Sequence, residues 1–230
     1  MKTIWTDLLH LFYPNLCRLC RRPLVEGEEQ ICLACLCNLP YAERMEGVSV
    51  RADRLFSGKF PFREAFAFLE YGKGSGVRQL IHDLKYHDNR SLAYRLGRWA
   101  ALDLQRSGSP IGQADLLLPV PLHPRKERER GYNQAFWIAS GLQSVWNLPV
   151  ETQALQRIRY TQTQTLRSSN DSRQANVQGA FAVTQPARLI NKHILLVDDV
   201  ITTGSTLEAC ATAVLSVPGT SVSLFSLGIA

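Results

Sequence analysis

The chain has 230 residues, of which 45% are hydrophobic and 20% charged, a balance typical of a globular protein with a buried core. Its formal net charge of +6 favours anionic partners such as nucleotides, pyrophosphate or nucleic acid. No stretch approaches the roughly 20 apolar residues that a membrane-spanning helix needs, so we expect no membrane span.

Apolar residues recur at helical spacing over residues 1–12, which predicts a short amphipathic helix packed on the rest of the protein. Its polar face is not basic, which disfavours the alternative of a helix bound to a membrane surface. The segment contains Asp7 and His10 and has no small-residue cleavage site, so it does not fit a signal peptide.

Four of the six cysteines form two C-x-x-C pairs separated by 11 residues, namely Cys17, Cys20, Cys32 and Cys35. Each two-residue spacer lets both sulfurs turn inward, so the two pairs can surround one metal ion. This donor set indicates a structural Zn²⁺ site. Two pairs of free thiols or an iron–sulfur cluster are the alternatives, and Cys37 is interpreted as a spare thiol. Paired cysteines of this kind indicate a reducing compartment, so we expect a cytoplasmic protein.

We predict three parts of the chain: an N-terminal helix and four-Cys zinc knuckle over residues 1–40, a linker over 41–60, and an α/β domain over 61–230. The linker combines glycine and charge with little hydrophobic periodicity. In the third part strands alternate with helices, as expected for a parallel sheet. The predicted strands are 65–71, 116–120, 194–197 and 221–227, and the predicted helices are 77–86, 92–105 and 134–146, the last capped by Asn133.

A basic segment follows the strand predicted at 116–120. Four of the six residues from 125 to 130 are basic: Arg125, Lys126, Arg128 and Arg130. The interleaved Glu residues fit a solvated surface. The position between a strand and a helix fits a mobile loop that closes on pyrophosphate, which is the interpretation we favour. The polar residues 157–181 carry four arginines and are either a plain surface loop or a hood over a substrate.

The most informative stretch is residues 193–208, H-I-L-L-V-D-D-V-I-T-T-G-S-T-L-E. Its apolar start predicts a strand buried on both faces, after which Asp198 and Asp199 form an acid pair. A loop of small residues follows, consisting of Thr202, Thr203, Gly204, Ser205 and Thr206. Helical spacing then begins, and Ser205 and Glu208 fit a capping box.

This order of elements predicts an anion site. The first N–H groups of a helix lack partners and carry partial positive charge, so they can bind a phosphate that the backbone of Gly204 allows to approach. Carboxylates repel phosphate, so Asp198 and Asp199 are expected to bind sugar hydroxyls or lie near a Mg²⁺ ion.

The stretch resembles the phosphoribosyl pyrophosphate (PRPP) signature of type I phosphoribosyltransferases, in which an apolar strand, two acids and T-T-G-S-T follow one another. The resemblance implies that Asp198 and Asp199 hold the ribose hydroxyls and act in catalysis, and that residues 202–206 hold the 5′-phosphate. It implies Mg²⁺ bound together with PRPP. It also implies the α/β fold of that class, a Rossmann-like, mainly parallel sheet flanked by helices.

Nearly the whole chain is similar to the ComF/GntX family of phosphoribosyltransferase-like proteins. Besides the four cysteines and the PRPP loop, the matching segments are L-I-H-D-L-K-Y at 80–86, P-V-P-L-H-P-R-K-x-R-x-R-G-Y-N-Q at 119–134, and R-x-R-x-T-x-x-Q-x-L through N-V-x-G-A-F over 157–181. One departure is Ser172, which stands where the family has Glu before the Arg173 position. The resemblance implies an association with natural competence and the handling of incoming single-stranded DNA.

Two main hypotheses follow. In the first, the chain is a transferase that uses PRPP, and the basic residues 125–130 neutralise the leaving pyrophosphate. In the second, it is a non-enzymatic competence factor that binds single-stranded DNA or competence proteins on a retained fold, with strongly salt-dependent DNA binding. A nucleotide-sensing regulator is a third possibility. The acceptor of the transferase is not indicated by any segment.

Overall fold

The structure is a computed structural model that describes residues 14–45, 48–72, 76–86, 89–159 and 179–230. The helix predicted at residues 1–12 and most of the polar segment 157–181 lie outside the described residues. The helices of the described part are α1 Leu33–Cys37, α2 Val50–Phe56, α3 Gly76–Tyr86, α4 Arg90–Arg106, α5 Pro124–Arg130, α6 Gln134–Trp146 and α7 Ser205–Leu215. The strands are β1 Arg44–Met45, β2 Val48–Ser49, β3 Ala65–Glu70, β4 Leu116–Pro119, β5 Leu155–Arg157, β6 Phe181–Val183, β7 His193–Ile201 and β8 Ser221–Ile229.

A parallel sheet of four strands in the order β3-β8-β7-β4 forms the centre of the fold. Its strands are buried on both faces, which explains their unbroken apolar runs. In β7, Leu195 and Val197 belong to the core on one face, while Ile194 and Leu196 belong to the core on the other. The predicted α/β class with a parallel sheet flanked by helices is therefore confirmed. No helix in the described ranges is long and apolar enough to cross a membrane.

Helices cover the two faces of the sheet. The core on one face contains residues of α3, α4 and α6, whereas the other contains residues of α2 and α7. The start of α6 agrees with the prediction, because the side chain of Asn133 accepts a hydrogen bond of 3.0 Å from the backbone N–H of Ala135. This cap fixes the end of the connection that carries the basic residues.

Residues 41–60, predicted as a linker, contain regular structure. Strands β1 and β2 form a short hairpin, and α2 follows directly. The backbone N–H of Ala42 donates to the carbonyl of Phe68 on β3, and Ala52 and Phe56 are fully buried. A seven-residue helix with two buried positions has no readable hydrophobic period, so the sequence did not reveal it. The division at residues 40 and 60 stays a prediction.

The cysteine segment packs on the main body. Cys17, Ile31, Cys32 and Leu39 belong to the same buried cluster as residues of α3 and α4. A Cβ added at Gly76, the first residue of α3, would lie 2.8 Å from a methyl group of Leu19. The Nε2 of Gln79 donates a 2.7 Å hydrogen bond to the carbonyl of Arg18. The segment and α3 therefore share one core.

Candidate functional site

The acid pair lies inside β7, whereas the sequence suggested that it follows the end of the strand. Strand β4 pairs with β7 only from Ile194 to Val197, whereas β8 continues beside β7 to Ile201. Asp198 and Asp199 are therefore the first residues of β7 that have no paired strand on the β4 side. This places both carboxylates at the carboxyl edge of a parallel sheet, the usual place for a ligand in such folds.

The loop after β7 begins a helix whose N-cap residue has no side chain, although the N–H of Ser205 reaches Oγ1 of Thr203 at 3.5 Å. Gly204 is the N-cap of α7 and has φ of +78°, and no side chain bonds the first turn from that position. A Cβ at Gly204 would lie 2.7 Å from the ring of Phe56, so only glycine fits here. The early N–H groups of α7 therefore face a small concavity lined by Asp198 and residues 200–207.

The predicted capping box is not formed. Ser205 is the first residue of α7, and its Oγ lies 2.9 Å from Oγ1 of Thr203. The carboxylate of Glu208 instead lies 3.8 Å from Nζ of Lys59. The prediction failed because the left-handed glycine takes the cap position one residue earlier. The hydroxyl groups of Thr203 and Ser205 stay beside the helix N-terminus, where a phosphate could accept from them.

Burial and like charge govern the acid pair. Burial, reinforced by the charge of Asp199, raises the pKa of Asp198 to about 7, although Lys85 and Arg157 oppose the shift. Backbone N–H groups support both carboxylates, from Asp199 to Oδ1 of Asp198 at 2.9 Å and from Val200 to Oδ1 of Asp199 at 2.7 Å. Near neutral pH, Asp198 is therefore close to the midpoint of its own titration.

The basic segment is helix α5, not the mobile loop predicted from sequence. Nδ1 of His123 caps its start, where it accepts from the N–H of Arg125, and Gly131 ends it in the left-handed conformation. Arg125 and Arg128 are exposed, and Arg125 pairs with Glu129 at 3.2 Å. This outer face fits the solvated surface that we considered as the alternative.

The inner face of α5 is different. Lys126 and Arg130, one turn apart, are only partly exposed. Burial, followed by the charges of Arg157, Arg130 and Lys85, lowers the pKa of Lys126. Lys126 and Arg130 thus lie near two further cations of the site, Lys85 and Arg157, whereas Arg125 and Arg128 face solvent.

Sequence reasoning missed two of these cations, Lys85 and Arg157. Nζ of Lys85 lies 3.1 Å from Oδ2 of Asp199. Burial acts to lower the pKa of Lys85, but the charge and hydrogen bond of Asp199, together with the charge of Asp198, outweigh it and raise that pKa. The guanidinium of Arg157 lies 5.2 Å from the ring centre of Phe181, in the range of a cation–π contact. Both residues belong to segments that carried the family resemblance, so motif membership was the available signal.

The site therefore combines two carboxylates with four cations, Lys85, Lys126, Arg130 and Arg157. The charges of the neighbouring cations add to burial in lowering the pKa of Lys126. A helix N-terminus adds further positive potential at the same edge of the sheet. Such an arrangement attracts a ligand with several negative charges that also presents hydroxyl groups to the carboxylates.

A second cluster lies in the cysteine segment. The sulfurs of Cys17, Cys20, Cys32 and Cys35 all lie within 4.8 Å of one another, and those of Cys20 and Cys32 are 3.6 Å apart. Four sulfurs around one Zn²⁺ would be separated by about 3.8 Å, given Zn–S bonds of about 2.3 Å. Cys37 is exposed and outside this set. The donor set and spacing fit a tetrahedral metal site.

The pKa shifts of these thiols are also consistent with a site for a bound cation. Burial acts to raise the pKa of Cys17, but backbone hydrogen bonds from Cys20, Cys32 and Leu19 outweigh it and lower that pKa to about 6. Burial and the three neighbouring thiols raise the pKa of Cys35 to about 12. Four thiolates thus need a bound cation to coexist at this spacing.

Comparison with known proteins agrees with these features. The phosphoribosyl transferase domain model matches residues 134–227, from the start of α6 almost to the end of β8. The DNA utilization protein YhgH of Escherichia coli O157:H7 is 29% identical over 89% of this chain and 92% of its own length. Competence protein F of Haemophilus influenzae is 34% identical over 56% of this chain and 57% of its own length.

Among solved structures, a glutamine PRPP amidotransferase from B. subtilis is 18% identical to this chain, with a TM-score of 0.40. The match covers 64% of this chain and 30% of the amidotransferase chain. The domain match includes the acid pair and the loop of residues 202–206. The chain is thus similar to proteins named for DNA utilization and competence and contains a match to the phosphoribosyl transferase domain, which supports the resemblance to the competence protein F (ComF) family.

Proposed function

We propose that the chain binds PRPP together with Mg²⁺ and transfers its phosphoribosyl group to or from an acceptor. The observation that carries the proposal is the position of a partly buried acid pair directly before a helix N-terminus, with Lys85 and Arg157 beside the pair and Arg130 and Lys126 next to those two cations. The backbone of Gly204 and the hydroxyls of Thr203 and Ser205 would hold the 5′-phosphate. Thr202 and Thr206 complete that loop.

The acid pair would act on the sugar. Asp198 and Asp199 would accept hydrogen bonds from the ribose hydroxyls and hold the ring in one orientation. Positive charge develops on the ring as the bond to pyrophosphate breaks, and fixed carboxylates nearby stabilise it. Lys126 and Arg130 on the inner face of α5 would neutralise the departing pyrophosphate, whereas Arg125 and Arg128 point away from it.

The carboxylate oxygens of the acid pair are donors of the type that Mg²⁺ prefers, so the residues present fit this ion. When bound, it would neutralise charge on the pyrophosphate while being held mainly by oxygens of the substrate, with Asp198 and Asp199 nearby.

Isothermal titration calorimetry of the zinc-loaded protein with PRPP, with and without Mg²⁺, tests the proposal. We expect binding with one ligand per chain, and tighter binding when Mg²⁺ is present. A folded protein that takes up no PRPP under either condition would contradict it. A positive result justifies a screen of base acceptors, followed by release of pyrophosphate as the measure of turnover.

The affinity for PRPP should rise with pH through about 7. The complex requires Asp198 in its ionised form. Burial and the charge of Asp199 raise the pKa of Asp198 to about 7, while the charges of Lys85 and Arg157 oppose the shift. The thiol of Cys210 is also close to this carboxyl group. Below pH 7, binding must remove a proton, so we expect about tenfold weaker binding at pH 6 than at pH 8. Calorimetry across this range in two buffers of different ionisation enthalpy measures both affinity and proton release.

Asp199→Asn is the control for this pH dependence. Removal of the charge of Asp199 removes a cause of the raised pKa of Asp198, so the midpoint should move to lower pH. The second phosphate pKa near 6 stays the same in both proteins and provides a common baseline. An affinity of the wild type that does not change between pH 6 and pH 8 would contradict this assignment.

We also propose that the cysteine segment holds a structural Zn²⁺. The support is the fit of four sulfurs to a tetrahedron and the need of four thiolates for a cation. Because these cysteines share a core with α3 and α4, the ion would stabilise the body of the protein and not a separate module. Metal analysis of the purified chain should give one zinc per chain.

A role in the use of incoming DNA is the second candidate function. Two relatives are named for DNA utilization and competence, and the outer face of α5 presents Arg125 and Arg128 to solvent. Single-stranded DNA bound through such residues would dissociate steeply with added salt. Fluorescence anisotropy with a labelled oligonucleotide between 50 and roughly 200 mM salt tests this, with Arg125→Ala/Arg128→Ala as the variant. Binding that is absent or insensitive to salt would count against it.

A further inference from the structure

Lys85 occupies a place that the proposed reaction does not explain. It lies in the last turn of α3, and its Nζ is 3.1 Å from Oδ2 of Asp199. The two side chains are only 26% and 14% exposed, so the pair is screened less than a surface ion pair. Asp198 attracts the same ammonium group and Arg130 repels it. Lys85 therefore contacts the acid pair from the side that carries the other cations.

The backbone that carries Lys85 is held from several directions. Leu80 and Leu84 of α3 are fully buried, and Gln79 bonds the carbonyl of Arg18. The hydroxyl of Tyr132, just after α5, donates to the carbonyl of Leu84. The ammonium group can move by rotation of its own side chain, but α3 cannot carry it away from the site.

Two adjacent carboxylates at a partly buried position require positive charge nearby. A divalent cation could supply it, and so could an ammonium group that the protein provides. Lys85 already supplies it at Asp199. A divalent cation that approaches the pair without a ligand would be repelled by this ammonium and by Arg130 and Lys126, whose charges interact with it.

We propose that Lys85 is the resident counter-ion of the acid pair: it excludes free divalent cations from Asp199, and it exchanges Asp199 for phosphoryl oxygens when the ligand binds. The exchange follows from the chemistry of both partners. Ribose hydroxyls donate to the carboxylate and replace the bond from Lys85, while pyrophosphate offers the ammonium a new acceptor. Lys85 then joins Lys126 and Arg130 around the leaving group.

This inference rests on the proposed function for the ribose, but its two halves can be measured with simpler probes. The first probe is Mn²⁺ without any substrate, titrated into zinc-loaded protein and followed by electron paramagnetic resonance. Lys85→Met should bind Mn²⁺ about tenfold more tightly than the wild type, because a repelling charge next to the carboxylates is removed. Lys85→Arg keeps the charge and should stay within about twofold of the wild type.

The second probe is inorganic pyrophosphate with Mg²⁺, measured by calorimetry. Lys85→Met should bind it about tenfold more weakly, because one cation facing the anion is lost. The same substitution thus strengthens binding of one ion and weakens that of the other, which a general loss of structure cannot do. Lys59→Met is the matched control, since Lys59 lies near the same loop but pairs with Glu208. It should change neither affinity by more than about twofold.

Unchanged Mn²⁺ affinity in Lys85→Met would overturn the counter-ion role, and unchanged pyrophosphate affinity would overturn the exchange. The Mn²⁺ effect should also vanish in an Asp199→Asn background, and its persistence there would assign it to another site. Lys85→Gln replaces Lys85→Met if thermal melting shows that the latter is unfolded. Failure of wild-type protein to bind PRPP would refute the proposed function without affecting either comparison.

Discussion

Asp198→Asn combined with Asp199→Asn should weaken PRPP binding at least about 100-fold, because two charge-assisted hydrogen bonds to ribose hydroxyls are lost, each contributing about 1.5–3 kcal/mol. Asparagine keeps the shape of both side chains, so the loop of residues 202–206 keeps its support. The measurement is calorimetry at pH 8, where Asp198 of the wild type is ionised. Replacement of both residues by alanine should have the same effect.

The stability of the single variant Asp198→Asn should not fall together with its affinity. Burial raises the pKa of Asp198 from 3.8 to about 7, which means that the folded state disfavours its charged form; this cost grows as pH rises between these two values and is fully present above about pH 7. Neutral asparagine removes that cost, although in the double variant it also leaves Lys85 without Asp199. We expect the single variant Asp198→Asn to melt at pH 8 at the same or a higher temperature than the wild type, while it binds PRPP more weakly.

Glu129→Gln is the matched control for the acid pair. It also converts a carboxylate to an amide, but it lies on the outer face of α5 and pairs with exposed Arg125. Affinity and melting temperature should both stay close to those of the wild type. PRPP binding that survives in the Asp198→Asn/Asp199→Asn protein would exclude the acid pair as the ribose site and direct attention to the relatives' use of DNA.

The predictable features of this fold are those that local sequence determines. The apolar runs at β3, β4, β7 and β8 predicted a buried parallel sheet, and the C-x-x-C spacing predicted the sulfur cluster. These patterns are strong because burial on both faces and a tight turn between two ligands each demand particular residues at fixed spacing. The bounds of β7 were less accurate, because polar Asp198 and Asp199 continue a strand that sequence reasoning ended at Val197.

The features that escaped prediction depend on contacts between distant segments. Lys85 and Asp199 are separated by 114 positions, and only the packing of α3 on the core of the sheet brings them to 3.1 Å. Arg157 meets the same site from β5. In α5, helix geometry turns Lys126 and Arg130 inward and Arg125 outward, a division that a count of basic residues cannot give. Sequence therefore indicated which segments carry charge, and the tertiary structure selected which residues meet.

Loss of the metal from the cysteine cluster should destabilise the whole protein, and this is the second large effect that we predict. Cys17 is fully buried and Cys32 is 6% exposed, in one cluster with Leu80 and Leu84 of α3. Without a cation, burial and neighbouring thiols raise the pKa of Cys35 to about 12, and four close sulfurs are held only by weak hydrogen bonds such as the one between Cys20 and Cys32. Structural zinc contributes on the order of 10 kcal/mol in small domains, so we expect a loss of several kcal/mol here.

Thermal melting of zinc-loaded protein, chelator-treated protein and Cys17→Ser tests this prediction, with zinc content measured for each. We expect one cooperative transition in the loaded protein, and a fall of more than about 10 °C after removal of the metal or in Cys17→Ser. Cys37→Ser is the matched control, because Cys37 is exposed and outside the cluster. Equal melting temperatures with and without metal would mean that packing alone holds the cysteine segment on α3. Lys85 would then depend on α3 and Tyr132 for its position, and not on the metal.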